Sequence, residues 1–119
     1  MRYLCLIHWD EEKAFDRPAP DLAGLVAAHR DFNETLAEKG QYVASQPLQK
    51  AATAAILRVR NGRIDVTDGP FIETKEQIAG FYLVDAETLA EAIEIAANIP
   101  VAPLATIEIR PCRDCVPAG

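Results

Sequence analysis

The sequence predicts an α+β sandwich in which an antiparallel sheet carries its helices on one face, with a hairpin inserted between two β-α-β halves. Three observations point there. Short apolar or alternating runs mark strands, two apolar stripes at three- and four-residue steps mark helices, and Asn61-Gly62 between alternating flanks marks a tight hairpin. The order β-α-β, hairpin, β-α-β is that of a ferredoxin-like fold. One sheet face would be left open, so a homodimer that covers it is expected.

Residues 2 to 8 are almost continuously apolar between Arg2 and His8, which suits a short strand buried on both faces. After the turn-rich Arg17-Pro18-Ala19-Pro20, Asp21 can cap a helix whose stripe is Leu22, Leu25, Val26, His29, Phe32 and Leu36, ended by Gly40. That stripe puts His29 on the apolar face. Tyr42 to Ser45 reads as a second strand, closed by Gln46-Pro47. Asn61-Gly62 suits a two-residue type I′ turn, which would pair Arg60 with Arg63, Val59 with Ile64, Arg58 with Asp65 and Leu57 with Val66. The apolar pairs then share one face and an Arg58–Asp65 ion pair takes the other. If the strand runs past Thr67, the alternation that turns Ile64 and Val66 inward also turns Asp68 inward. Gln77 to Val84 is dense in aromatic and branched residues, with Gly80 allowing a close backbone approach and Asp85 following as a helix cap. Leu89, Ala92, Ile93, Ala96 and Ala97 form the second helical stripe, ending before Pro100. Ala105, Ile107 and Ile109 alternate with polar neighbours in a last half-buried strand.

A chain of 119 residues is one domain, long enough to bury roughly 65% of its unfolded surface. No apolar run approaches the roughly 18 to 20 residues of a membrane span. The N-terminal apolar run is shorter than a signal-peptide core, so a cytoplasmic location is expected. A net charge of −6, with 12 scattered basic residues, argues against nucleic acid as a partner. Cys5, Cys112 and Cys115 are an odd count, so reduced thiols are the default. Cys112-Arg113-Asp114-Cys115 lacks the following helix of a redox motif and offers two sulfurs where zinc takes four ligands. No metal is expected.

The run Asp68-Gly69-Pro70-Phe71-Ile72-Glu73-Thr74-Lys75-Glu76 resembles the signature of the DGPF, or YCII-related, domain family. Tyr3-Leu4-Cys5-Leu6-Ile7 with Asp10-Glu11 is similar to that family's opening strand and acidic turn, and Ala28-His29 with Phe32-Asn33-Glu34 to the middle of its first helix. Gly80-Phe81-Tyr82 and Ile107-Glu108-Ile109-Arg110-Pro111 resemble its later strands. The resemblance spans roughly residues 2 to 111, giving a domain over residues 1–111 and a tail over 112–119. It implies ferredoxin-like dimers whose sheets pack into an α/β barrel. Ser45-Gln46-Pro47 and the cysteine-bearing tail depart from the family pattern.

His29 and Asp68 are the candidate catalytic pair. A carboxylate that receives one imidazole N–H fixes the tautomer and strengthens the other nitrogen as a base. The family resemblance adds an expectation of a His and Asp pair, carried over from distant relatives. The competing reading is a core histidine with one hydrogen bond and a turn-forming aspartate bonded to local amides. Trp9, Phe32, Phe71 and Tyr82 are candidates to line an apolar pocket for a small ligand, and Lys75 to contact an anion; core packing and a solvated turn are the alternatives. A glycine-rich phosphate cradle, a His-x-x-x-His pair and a nucleophile elbow are missing from the sequence. Two functions fit. One is a cofactor-independent enzyme moving a proton on a small organic acid or ring compound, with His29 as base or acid and Asp68 orienting it. The other is a non-catalytic module that binds a small ligand or a protein in a regulatory role, since related domains often accompany sigma-factor-like regulators.

Overall fold

The computed structural model describes residues 1–16 and 22–114. Four strands form one antiparallel sheet: β1 (Arg2–Trp9), β2 (Tyr42–Pro47), β5 (Gln77–Asp85) and β6 (Thr106–Pro111), in the order β2-β5-β1-β6. The strands β3 (Ala55–Arg60) and β4 (Arg63–Asp68) make a separate two-stranded sheet. Three α-helices, α1 (Glu11–Asp16), α2 (Leu22–Glu38) and α3 (Leu89–Ala97), and two short 3-10 helices, Ala51–Thr53 and Ala102–Leu104, complete the order along the described residues. This is the ferredoxin-like arrangement expected, with a hairpin inserted between its halves.

The strand β1 sits between β5 and β6, and period-2 alternation sorts its side chains. Tyr3, Cys5 and Ile7 point to one face and are buried there with Tyr82 and Val84, beneath Leu36 of α2 and Ala92, Ile95 and Ala96 of α3. Leu4 and Leu6 point to the other face, opposite Leu83 and Phe81, and are only half-buried. The expected burial on both faces is therefore complete on the helix side alone. Arg110 and Glu108 lie opposite Leu4 and Leu6, and Glu108 hydrogen-bonds His8 at 3.3 Å, so this open face mixes apolar and charged groups.

The hairpin register is the one read from the sequence at every pair from Leu57–Val66 to Arg60–Arg63. Asn61 and Gly62 take φ +52° and +75°, as a type I′ turn requires. The expected Arg58–Asp65 ion pair does not form: the Arg58 guanidinium lies 5.9 Å from the centre of the Phe71 ring instead. An exposed ion pair gains little, so a ring face can win the same guanidinium. Ile64, Val66 and Asp68 are all exposed, which corrects the inward reading of Asp68 within one protomer. The alternation is right about sides, but the hairpin stands off the main sheet and its apolar side is uncovered.

Other local expectations need adjustment. The cap of α3 is Thr88, whose hydroxyl accepts from the Glu91 N–H at 3.1 Å; Asp85 instead ends β5 and faces Arg2 at 3.6 Å. Val26, Leu89 and Ile93, placed on apolar stripes, remain exposed. Helix α1 was not expected, because six residues are too short to show a stripe; its signal is Asp10, whose carboxylate accepts from the N–H groups of Glu12 and Lys13. Arg17 to Asp21, including the expected Asp21 cap, and Cys115 lie outside the described residues. Cys5 is fully buried, and burial, with Cys112 nearby, pushes its thiol up to about 11. It behaves as a core residue.

Candidate functional site

Helix α2 packs over the β1-β5-β2 part of the sheet and leaves a cavity of about 710 Å³ beneath it. Residues four apart on a helix share a face, so Leu25, His29 and Asn33 all enter this cavity from α2. Ile7 and Trp9 of β1, Ser45 of β2 and Tyr82 of β5 form the opposite wall. A bulge shapes its edge: the register shifts between Ile7 and His8, leaving Ala79 unmatched in β5, and the Ala79 carbonyl accepts from the Leu48 N–H at 2.8 Å. Gly80 is required there. A Cβ on it would lie 2.9 Å from the Gln46 carbonyl oxygen, so β2 can pair this closely only against glycine.

The polar groups of the cavity are joined in a chain. His29 Nδ1 lies 2.8 Å from the Tyr82 hydroxyl, which donates to Asn33 Oδ1 at 2.7 Å. Asn33 Nδ2 reaches Ser45 Oγ at 3.4 Å, and Ser45 Oγ is 2.8 Å from the Tyr42 hydroxyl. Two strands and a helix are thus tied together around the imidazole. Burial pushes the Tyr82 phenol up to about 12, so it keeps its proton across the working range of most enzymes. Burial also lowers the His29 pKa below its ordinary 6.5, which favours the neutral ring.

Among the described residues, Nε2 of His29 has no protein partner, and no side-chain nitrogen or oxygen without a partner is fully buried. Nε2 is therefore the accessible nitrogen of a half-buried neutral imidazole. An imidazole so placed can accept a proton at Nε2 or donate one there, according to its tautomer.

Of the residues singled out by sequence, Trp9, His29 and Tyr82 line the cavity. Phe32 buttresses it from behind, edge-on to Tyr82 with ring centres 5.6 Å apart. Phe71 is exposed under Arg58, and Lys75 is exposed on a loop whose Ile72 and Thr74 carbonyls both accept from the Gln77 amide. Asp68 is exposed at the end of β4, and among the described residues no hydrogen bond or ion pair joins it to His29. Sequence reasoning missed Asn33, Ser45 and Tyr42 as parts of the site. Asn33 carried a signal, since it follows His29 by four residues on the same stripe.

No group of His, Cys, Asp or Glu side chains able to hold a metal ion occurs among the described residues. No helix of the described residues is long and apolar enough to cross a membrane.

Comparison with known proteins agrees with this fold. An uncharacterized protein of Rhizobium meliloti (strain 1021) is 42% identical over 76 residues, in a match that covers 62% of this chain and 61% of that relative's length. Among solved structures, the chain is similar to 5-chloro-2-hydroxyhydroquinone dehydrochlorinase (TftG) from Burkholderia phenoliruptrix AC1100, in complex with 2,5-dihydroxybenzoquinone. That match has a TM-score of 0.53 at 19% identity and covers 95% of this chain and 94% of the other, a likeness of fold. The family model of the YCII-related domain matches residues 1–115. With its signature run, strand order and that match over nearly its whole length, the chain belongs to the YCII-related domain family.

Proposed function

We propose that this protein is a cofactor-independent enzyme that moves a proton on a small organic acid or ring compound held in the cavity, with His29 as the base. One observation carries the reading: an imidazole engaged at Nδ1 and open at Nε2, whose neutral form burial favours, faces a largely apolar cavity of ligand size. In the step it would perform, Nε2 takes a proton from a carbon or hydroxyl of the substrate. The bonding pair stays on the substrate, delocalised into an adjacent carbonyl, and the imidazolium returns the proton at the neighbouring position. Hydroxylated ring compounds are the first class to screen, because the fold neighbour holds 2,5-dihydroxybenzoquinone. His29→Ala should abolish turnover of any substrate so found while leaving the folded protein intact; a fully active variant would sink the assignment.

The proposal includes a homodimer. The exposed Leu57, Val59, Ile64 and Val66 make one apolar side of a two-stranded ribbon, and such ribbons are marginal in water until packed on something. A second copy would cover that side and the half-buried Leu4, Leu6, Phe81 and Leu83 of the open sheet face. It would also let Asp68 approach the His29 of its partner, which is the form the His29–Asp68 pair takes in this proposal. A co-refolded mixture of inactive His29→Ala and Asp68→Asn chains should then regain activity, since one site of each mixed dimer is intact. Without recovery the pair is not shared between copies.

The same exposed apolar residues favour a second reading, a non-catalytic module that binds a small ligand or a protein partner in regulation. A ligand that raises the melting temperature and is recovered unchanged would support that reading over the first.

A further inference from the structure

We infer that Asn33, acting through the Tyr82 hydroxyl, fixes His29 in the tautomer protonated at Nδ1 and so makes Nε2 the basic nitrogen. The argument is one of donor and acceptor counting. The Tyr82 hydroxyl has a single proton and meets His29 Nδ1 at 2.8 Å and the Asn33 side-chain amide at 2.7 Å, while the nearby Ser45 hydroxyl acts on it as a donor and so does not compete for that proton. Whichever neighbour takes that proton obliges the other to donate.

The orientation of the amide decides which. Asn33 Oδ1 faces the Tyr82 hydroxyl at 2.7 Å, an ordinary O–H···O length, and Nδ2 faces away from it. The amide nitrogen then faces Ser45 Oγ, which can accept its proton. Ser45 is satisfied on its other side by the Tyr42 hydroxyl. With its proton committed to Asn33, the Tyr82 oxygen can only accept from His29, and Nδ1 must carry the ring proton. Had the amide been reversed, Tyr82 would donate to Nδ1, and Nε2 would carry the proton and serve as an acid or donor. The side chain of Asn33, which itself lines the cavity, thus selects between base and acid through Tyr82. It is a positioning residue.

This inference rests on the acid–base reading for its importance but not for its test. The chain has two histidines, so His8→Gln leaves His29 as the single imidazole signal. Long-range proton–nitrogen correlation spectra of protein labelled with nitrogen-15 in histidine distinguish a protonated, pyrrole-like ring nitrogen from a bare, pyridine-like one. At about pH 8, above the ordinary imidazole pKa, the ring is neutral. The expected pattern is a pyrrole-like Nδ1 and a pyridine-like Nε2. Asn33→Asp, whose carboxylate also accepts, should keep that pattern. Asn33→Leu, which leaves Tyr82 free to donate to Nδ1, should transfer most of the population to the tautomer protonated at Nε2.

A wild-type His29 protonated at Nε2 overturns the inference, and so does an Asn33→Leu spectrum unchanged from wild type. If Asn33→Leu does not fold, the wild-type and Asn33→Asp spectra still decide: a switch to Nε2–H in either refutes it. The two readings fail separately. The expected tautomer without any turnover removes the enzyme and keeps the positioning role; turnover that needs His29 in the opposite tautomer keeps the enzyme, with His29 as an acid, and removes this one.

Discussion

Replacing Tyr82 by Phe removes one oxygen and with it both contacts that hold His29 and Asn33 together, at 2.8 and 2.7 Å. The ring itself is 3% exposed and keeps its edge-on packing against Phe32, so almost no apolar contact is lost. The cost is therefore that of two hydrogen bonds. At about 0.5 to 1.5 kcal/mol each, net of competition with water, the variant should lose about 1 to 3 kcal/mol. Equilibrium urea unfolding is the assay, run at one protein concentration because any dimer makes stability depend on it. With a slope of about 1 to 3 kcal/mol per molar, the midpoint should fall by about 1 M. Tyr3→Phe is the internal control. Tyr3 is equally buried at 4% exposure, but its hydroxyl meets only the Met1 sulfur at 3.5 Å, a weak acceptor, so that change should cost less than about 1 kcal/mol. Equal losses in the two variants would show that the Tyr82 hydroxyl is not the tie between helix and sheet, and the site described above would lose its support.

Gly80→Ala forces a methyl group to within 2.9 Å of a backbone carbonyl and should destabilise the fold by about 1 to 3 kcal/mol, read in the same unfolding assay. Unchanged stability would mean that β2 can slide away without penalty. The depressed His29 pKa sets a sign for pH. The unfolded chain binds this proton first, so stability should fall as pH drops from the ordinary 6.5 towards the folded value, and be unaffected by His29 above 6.5. His29→Gln should flatten that fall, measured as unfolding free energy against pH, and an identical fall in both proteins would refute the assignment. Finally, Ile64→Glu on the exposed hairpin face should halve the mass seen by light scattering if a second copy covers that face. A particle of unchanged mass would locate the interface elsewhere.

The hairpin was the most legible part of the fold, because a two-residue turn and a period-2 pattern constrain each other: once Asn61-Gly62 fixes the turn, each later pair follows by counting. The helix ends were less so. Thr88 won the cap of α3 from Asp85 because the chain stays paired in β5 through Asp85, and only tertiary pairing decides where a strand lets go. The Phe71 ring took Arg58 because Gly69, at φ +100°, turns the chain after β4, and nothing local to Arg58 announces that turn.

The site divides along the same physical line. Burial of His29 follows from helix periodicity alone, a short-range rule, and the structure places it in the cavity. Asp68 was inferred by an equally short-range rule, but alternation states only which side of a ribbon a residue takes, not what covers that side. The hairpin forms its own sheet, so Asp68 shares a side with Ile64 and Val66 that none of the described residues of this protomer buries. The partner that His29 does find, Tyr82, is 53 residues away, and its position depends on β5 entering the sheet between β2 and β1. Tyr82 was legible as a pocket residue but not as the partner of His29, although strand order points that way: it alternates with Gly80 and Val84 on the helix face, and α2 presents both His29 and Asn33 to that face. A polar side chain four residues after an inward histidine has to be satisfied, since an unpaired amide in that setting costs about 1 to 3 kcal/mol. That requirement, more than any motif, is what makes the hydroxyl of a core tyrosine part of the site.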